Sequence, residues 1–119
     1  MATIEERNAG INKAIEANKG MEAFEEYYAD NVVMMENDQA HEGKEVNRKR
    51  QEEFWNMVET VHAAEVKSSA VNGLTSFTEL AYDFTWKDGN RFPMNEVSVR
   101  RWNEEGMIVH ERFYYKGMG

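Results

Sequence analysis

The apolar positions in the first half of the chain recur at three- and four-residue intervals, the period of an amphipathic helix. One helix is predicted from the apolar face of Ile4, Ile11, Ala14 and Ile15, and it ends at the glycine of the segment NKG at 18–20. A second, short helix is predicted from Met21, Phe24, Tyr27 and Tyr28, ending near Asp30. A third is predicted over residues 44–61, with a core stripe of Val46, Phe54, Met57, Val58 and Val61.

Beyond residue 61 the apolar period changes to two, the period of a strand with one buried face. Strands are predicted at 32–36, 63–71, 75–87, 92–103 and 107–115. The later strands are separated by hairpin turn sequences, which are NG at 72–73, KDGN at 87–90 and NEEG at 103–106. Residues 37–43 are predicted to be a polar loop. Helices followed by a meander of strands predict a single α+β domain over residues 1–119.

Composition narrows the class of protein. A chain of 119 residues that is 41% hydrophobic can bury a core, and a net charge of -8 disfavours nucleic acid or an anionic membrane as a partner. The basic run NRKR at 47–50 adjoins acidic residues and is interpreted as a solvated helix face. The chain has no cysteine, no signal-peptide pattern at its start and no apolar run long enough to span a membrane. A cytoplasmic protein is therefore expected.

The two faces of the predicted sheet differ in character. Strand 75–87 places Ser76, Thr78, Leu80, Tyr82, Phe84 and Trp86 on the face that must be interior. The outer face is half apolar, with Phe77, Ala81, Val97, Val99, Ile108 and Tyr114. A half-apolar outer sheet face is typical of an interface, so a homodimer through this face is expected.

The last predicted strand carries a carboxylate in an apolar stripe. Alternation puts Met107, Val109, Glu111, Phe113 and Tyr115 on one face. A lone buried charge is costly, so Glu111 needs a partner or a function. One interpretation is a structural ion pair with Arg100 on the neighbouring strand.

Four segments resemble a known family: GMEAFEEYYADNVVMME at 20–36, HEGKE at 41–45, VHAAEV at 61–66 and NEVSVRRWNEEGMIVHERFYY at 95–115. Together they are similar to the SnoaL-like branch of the NTF2-like superfamily, over roughly residues 5–115. The resemblance implies a cone-shaped roll, in which a curved, mostly antiparallel sheet wraps three N-terminal helices around a deep apolar pocket. The family includes polyketide cyclases, ketosteroid isomerase relatives and proteins without an assigned activity, so a fold and a pocket are implied rather than one reaction.

In that fold one set of side chains is expected to line the pocket. The expected ligand-binding residues are Trp55, Leu80, Tyr82, Phe84, Met94, Glu96, Ser98, Val109 and Phe113. The expected catalytic groups are Glu36, Glu111 and His62, the last because Trp55, Val58 and His62 share one stripe of the third helix. Titratable groups that converge in an apolar pocket are typical of a ligand site.

The resemblance also assigns roles, and it does so incompletely. Glu36 stands where ketosteroid isomerase relatives carry an acidic general base. Asn12 stands where they place a tyrosine on the first helix, and Ser98 where they place a protonated carboxylic acid. The oxyanion-binding pair of those relatives is therefore absent, and steroid isomerisation is not implied. Donors could instead come from Tyr82, Trp55 or protonated His62.

Three classes of function remain open. The first is a cofactor-independent isomerase, cyclase or lyase, in which a pocket carboxylate transfers a proton on a small apolar carbonyl compound. The second is a non-catalytic protein that binds a small apolar molecule with a polar head, and the third is a dimeric interaction module. No cofactor is expected, and no metal, because His41, His62 and His110 lack ligand spacing.

Overall fold

The computed structural model describes residues 2–116, which form three helices and six strands. The helices are α1 (Ile4–Glu16), α2 (Gly20–Tyr27) and α3 (Lys44–Met57). The strands are β1 (Tyr28–Glu36), β2 (Gln39–Glu42), β3 (Val58–Asn72), β4 (Thr75–Trp86), β5 (Arg91–Trp102) and β6 (Ile108–Lys116). Within residues 2–116 there is no helix with the length and apolar character needed to cross a membrane.

All six strands belong to one sheet, in the order β2-β1-β6-β5-β4-β3. Every neighbouring pair is antiparallel except β1 and β6, which run parallel. The three helices pack against this sheet, so the predicted α+β roll with a mostly antiparallel sheet is confirmed. The register of β5 is central, because it places Arg100 opposite Glu111 and Glu96 opposite Leu80.

Helix α1 begins and ends through local hydrogen bonding. The backbone N–H of Glu6 donates to the Thr3 hydroxyl at 3.1 Å, and the Thr3 N–H donates to the Glu6 carboxylate at 3.0 Å, a reciprocal capping box. The helix ends at Glu16, and Asn18 takes the left-handed conformation at φ 61°. The predicted glycine stop is therefore wrong, since Gly20 instead begins α2.

Helix α3 ends four residues earlier than predicted, and its predicted core stripe is wrong. Val46 and Met57 are 49% and 55% exposed, whereas Asn47 is buried. The Asn47 amide donates to the carbonyl oxygens of His41 at 3.0 Å and Gly43 at 2.8 Å, which satisfies a polar side chain inside the fold. Since the chain is already in β3 at residue 58, strand alternation governs the direction of His62.

The predicted loop at 37–43 contains the short edge strand β2. Met34 pairs with His41 and Glu36 with Gln39, around a tight turn in which Asn37 has φ 52°. The residues of β2 are mostly exposed, so an apolar period could not have indicated the strand.

Strand β6 carries a bulge that changes which side chains face inward. Arg101 pairs with His110 but the next residue, Trp102, pairs with Ile108, so Val109 is the extra residue. Ile108 is therefore fully buried, and its predicted place on the outer face is wrong. It belongs to the apolar core, which consists of Ile11, Ala23, Phe24, Tyr28, Val32, Met34, Trp102 and Ile108.

A polar network lies beside this apolar core and joins α1 to the sheet. Arg100 and Glu111 are each 1% exposed, and the Nε of Arg100 donates to Glu111 at 3.1 Å. The Nη1 of Arg100 donates to the amide oxygens of Asn8 at 2.9 Å and Asn12 at 2.8 Å, both on α1, and to the Thr78 hydroxyl at 3.2 Å.

The Glu111 carboxylate is held by three donors. Besides Arg100, the Tyr28 hydroxyl donates to Oε1 and the Ser98 hydroxyl donates to Oε2. Burial, and then the charge of Glu111, raise the pKa of Tyr28 well above its usual range, which keeps this hydroxyl a donor. The predicted ion pair with Arg100 is thus present, and it is one part of a larger network.

The outer sheet face presents apolar side chains on three adjacent strands. Phe77 pairs with Val99, and Val97 pairs with Tyr114. Phe77, Val97 and Tyr114 are each more than a third exposed. Without Ile108, this outer patch consists of Phe77, Ala81, Val97, Val99 and Tyr114.

The buried ion pair makes a direct prediction about stability. Glu111→Gln removes the charge opposite Arg100, so the free energy of unfolding should fall by roughly 3–5 kcal/mol because a buried guanidinium is left uncompensated. Urea unfolding followed by circular dichroism measures this change. Glu104→Gln on the exposed 103–106 turn is the matched control and should shift stability by less than about 0.5 kcal/mol. A loss at Glu111 no larger than that of the control would contradict the structural role of the pair.

The outer patch makes a prediction about assembly. We expect the chain to pair through this patch in a two-fold dimer at micromolar concentration, and Val97→Asp to shift it towards monomer because each introduced charge would meet its symmetry copy. Sedimentation velocity measures the shift. Val46→Asp, an equally exposed valine on α3, is the control that should leave the mass unchanged. A wild-type chain that sediments only as a monomer would refute the expectation.

Candidate functional site

The space between α3 and the inner face of the sheet is an open cavity of about 260 Å³, here called the outer chamber. It is lined by Glu36, Arg50, Gln51, Phe54, Trp55, Tyr82, Phe84, Trp86, Phe92, Met94, Glu96, Phe113 and Tyr115. Most of these residues are aromatic, and the charged residues among them are Glu36, Arg50 and Glu96. This composition is typical of a pocket for a small apolar molecule that is oriented by one or two polar contacts.

The aromatic rings of the outer chamber support one another. The Phe54 ring packs edge-on against Trp55, Phe84 and Trp86, with centroids 5.1, 5.6 and 5.4 Å apart. Trp86 in turn stacks on Phe92 at 5.4 Å. Contacts of this kind fix the ring planes before a ligand arrives, so the chamber is pre-organised for a flat molecule.

A smaller space of about 70 Å³ continues inward from the outer chamber and is here called the inner chamber. Gln51, Trp55, Tyr82 and Phe113 line both spaces and therefore separate them. The inner chamber is otherwise lined by Ile11, Ile15, Gly20, Ala23, Phe24, Tyr28, Met34, Leu80, Arg100 and Glu111. The ion pair of Arg100 and Glu111 is thus the polar end of the inner chamber.

Glu96 is the carboxyl group that faces the outer chamber without a protein partner. The residue is 8% exposed, and within residues 2–116 its side chain forms no hydrogen bond or ion pair. Burial, with a further contribution from the charges of Glu111 and Glu36, raises the pKa of Glu96 to about 8, although Arg100 opposes the shift. At neutral pH Glu96 is therefore mainly a neutral acid that can donate a hydrogen bond.

Glu36 occupies the mouth of the same chamber in a different environment. Its side chain is 45% exposed, and Oε1 lies 3.2 Å from Nη2 of Arg50, whose side chain is 36% exposed. Water and the guanidinium both stabilise a carboxylate charge at this position. The chamber therefore presents one buried carboxyl group without a protein partner and one half-exposed carboxyl group paired with a guanidinium.

Tyr82 lies between the chambers and lines both of them. Burial first, and then the charge of Glu96, raise the pKa of its hydroxyl far above the usual range. Tyr82 is thus a permanent donor near Glu96. Its ring stacks on Phe84 at 5.1 Å, which holds it in place.

The structure brings most of the predicted site residues together. The outer chamber contains Glu36, Trp55, Tyr82, Phe84, Met94, Glu96 and Phe113, and the inner chamber adds Leu80 and Glu111. Ser98 lines neither chamber, because its hydroxyl donates to Glu111. Asn12 stands at the other position where ketosteroid isomerase relatives carry an oxyanion donor. Its amide oxygen accepts a hydrogen bond from Arg100.

Besides Ser98, two further predicted site residues lie outside both chambers. His62 is exposed on β3, and its Nε2 lies 2.6 Å from the Thr85 hydroxyl rather than in either chamber. The prediction was wrong because α3 ends before residue 58. Val109 also lines neither chamber, because it is the extra residue of the β6 bulge and alternation fails there.

Four chamber residues were not predicted to face the pocket, namely Arg50, Gln51, Phe54 and Phe92. Trp86 and Tyr115 lie on the inward faces predicted for their strands, although they were not named among the ligand-binding residues. Strand alternation from Met94 could have indicated Phe92. Arg50 belongs to the basic run at 47–50, which was interpreted as a solvated helix face, so it was not predicted to line the pocket. The donor role of Tyr28 had no signal, because it depends on a contact with a residue 83 positions away.

Comparisons with known proteins agree on the family. The SnoaL-like domain model matches residues 3–115, whereas no curated protein matches the chain. A structure from Mesorhizobium loti, provisionally described as a SnoaL-like polyketide cyclase, is 29% identical with a TM-score of 0.84, over 96% of this chain and 100% of that one.

Two more distant structures share the fold. An NTF2-like protein of unknown function from Burkholderia pseudomallei is 10% identical with a TM-score of 0.81, over 98% of this chain and 92% of that one. A protein with a ketosteroid isomerase-like fold from Catenulispora acidiphila, in complex with trimethylamine, is 15% identical with a TM-score of 0.76, over 96% and 88%. With the match to nearly its whole length, the chain belongs to the SnoaL-like domain family, on the NTF2-like fold.

Proposed function

We propose that this protein is a cofactor-independent isomerase, cyclase or lyase that transfers a proton on a small, flat and neutral carbonyl compound. The observation that carries the proposal is the pair of carboxyl groups in the outer chamber, with Glu96 buried and unpartnered and Glu36 half exposed beside Arg50. Two carboxyl groups that face one pocket from such different surroundings can serve as the acid and the base of a single reaction.

The proposed step gives Glu96 the role of the acid and Glu36 the role of the base. Neutral Glu96 donates a hydrogen bond to the carbonyl oxygen, and the Glu36 carboxylate takes a proton from the adjacent carbon. The C–H electron pair then forms the C=C bond of an enol or enolate, and the carbonyl π pair moves to the oxygen beside Glu96. Return of the proton from Glu36 to a different carbon gives an isomer. In a cyclase, the enolate carbon attacks the carbon of a second carbonyl, the π pair of that carbonyl moves to its oxygen, and this oxygen takes the proton from Glu36 as the ring closes. In a lyase, the enolate re-forms the carbonyl and a double bond while the bond from the β-carbon to the leaving group breaks, and the leaving group takes the proton from Glu36. Tyr82 supplies a further donor close to Glu96.

A second candidate is a protein that binds such a molecule without turning it over. The ion pair between Glu36 and Arg50 favours this function, since the guanidinium already occupies one oxygen of the carboxylate that the catalytic step would use. The trimethylamine complex of the Catenulispora protein indicates that a protein of this fold can bind a small molecule. In both candidates the protein acts in the cytoplasm, as a homodimer, on a small apolar molecule with a polar head.

Deuterium exchange distinguishes the two candidates. With α-tetralone, 2-indanone and benzylacetone as probes in D2O, proton NMR should show faster exchange at the carbon next to the carbonyl than in buffer alone. Glu36→Gln and Glu96→Gln should each slow this exchange by roughly 10²–10⁴-fold, the usual contribution of a general acid or base. Glu104→Gln is the control and should match wild type. Binding of the probes without any enhanced exchange would contradict the catalytic proposal and leave the binding function.

The protonation state of Glu96 makes a prediction about stability. The pKa of a glutamate is about 4.5 in the unfolded chain and about 8 for Glu96 in the fold, so the folded state holds the extra proton between these values. Stability should therefore fall as pH rises from 5 to 8, by up to about 5 kcal/mol at 1.36 kcal/mol per pH unit. Glu96→Gln should remove this part of the fall, whereas Glu104→Gln should keep it. Parallel stability profiles for wild type and Glu96→Gln would contradict a buried neutral acid.

A further inference from the structure

The inner chamber contains a donor that the protein itself does not use. The Nε and Nη1 of Arg100 are engaged by Glu111, Asn8, Asn12 and Thr78, but its Nη2 donates to no atom of residues 2–116. Arg100 is 1% exposed, so bulk water does not reach this group from outside the fold. A buried N–H group without an acceptor is costly, and each such group in a native protein calls for an explanation.

The unused nitrogen borders open space rather than packed atoms. The described side-chain nitrogens that are wholly enclosed and lack a partner belong to His41, His110 and Arg112, and the Nη2 of Arg100 is not among them. Arg100 lines the inner chamber. Its other nitrogens fix the guanidinium plane, so Nη2 is a pre-organised donor at the closed end of the cavity.

Charge selects the kind of acceptor that fits this donor. Arg100 and Glu111 neutralise each other, so a carboxylate in the inner chamber would be an uncompensated negative charge beside Glu111. A neutral carbonyl oxygen would satisfy the N–H without adding charge. The volume of about 70 Å³ limits the entering group to a few heavy atoms.

We propose that the inner chamber is a subsite for a neutral carbonyl oxygen at the leading end of the ligand, bound by Nη2 of Arg100. The apolar body of the ligand lies among the rings of the outer chamber and passes between Trp55, Tyr82 and Phe113, which line both spaces. This inference rests on the proposed function and narrows its substrate class to molecules with two separated oxygen acceptors. One is the reacting carbonyl beside Glu96, and the other is the leading oxygen at Arg100.

The test compares three probes that share a phenyl ring and a chain of similar length. Benzylacetone carries a neutral carbonyl, butylbenzene carries no acceptor, and 3-phenylpropanoate carries a carboxylate. Dissociation constants are measured from quenching of tryptophan fluorescence, since Trp55 and Trp86 line the outer chamber. Wild type should bind benzylacetone about ten-fold or more tighter than either of the other probes, as expected for one buried hydrogen bond.

Filling the inner chamber should weaken this preference without touching the ion pair. Ala23 is 3% exposed and lines the inner chamber, so Ala23→Leu introduces three carbons into that space. The variant should lower the ratio of the butylbenzene to the benzylacetone dissociation constant by about ten-fold, the effect of one buried hydrogen bond, and any preference that remains belongs to the contact with Glu96. Ala9→Leu on the exposed side of α1 should keep the wild-type ratio. Arg100→Gln removes the donor directly, but it leaves Glu111 buried and unpaired and can fail to fold, so Ala23→Leu is the deciding variant.

Each outcome has a separate meaning. Equal binding of benzylacetone and butylbenzene by wild type, or a ratio in Ala23→Leu as large as in wild type, would overturn the inner subsite while leaving the proton-transfer function to the exchange experiment. Tighter binding of 3-phenylpropanoate than of benzylacetone would overturn the choice of a neutral acceptor. If none of the three probes binds, both the subsite and the proposed function fail.

Discussion

Arg100 and Glu111 face each other across β5 and β6, and each side chain is 1% exposed. Burying two charges costs several kcal/mol for each ion, which their mutual attraction offsets only when the remaining donors and acceptors are also satisfied. The surrounding residues meet that condition for Glu111, through the hydroxyls of Tyr28 and Ser98. The pair therefore requires Tyr28, at the junction of α2 and β1, to reach β6.

The same condition determines how α1 lies on the sheet. Arg100 needs acceptors on its far side, and α1 provides them through Asn8 and Asn12, one helical turn apart. The amides of both residues donate in turn to the Ser69 hydroxyl on β3, at 2.9 and 3.1 Å. A helix that would otherwise be held by apolar contacts alone is thus fixed in register with three strands.

The ion pair also sets the electrostatic character of the cavity. Because Glu111 is neutralised by Arg100, the carboxyl group left without a partner is Glu96, which lies on the same face of β5 as Arg100. The residual effect of Glu111 on Glu96 is to disfavour a second charge, which adds to the burial that raises the pKa of Glu96. Burial is the main cause of the raised pKa of Glu96, and the two charges of the ion pair modify it in opposite directions, Glu111 raising it and Arg100 lowering it. At the mouth, Glu36 is half exposed and lies beside Arg50, so the two ends of the cavity differ in charge as well as in access to water.

The sequence by itself determined the order of three helices and a strand meander, the inward faces of β4 and β5, and the family. The family follows from the resemblance of four segments, whereas the element order and the inward faces follow from local periodicity. Residues such as Leu80, Phe84 and Glu96 lie on the predicted side because β4 and β5 pair in regular alternation. Only the tertiary structure decided the positions where periodicity fails. The β6 bulge turned Ile108 inward and removed Val109 from the site, and the early end of α3 put His62 on the outside. The hydrogen bond from the Tyr28 hydroxyl to Glu111 could not be predicted from the sequence either. It joins residues 83 positions apart, and a local pattern carries no information about so distant a contact.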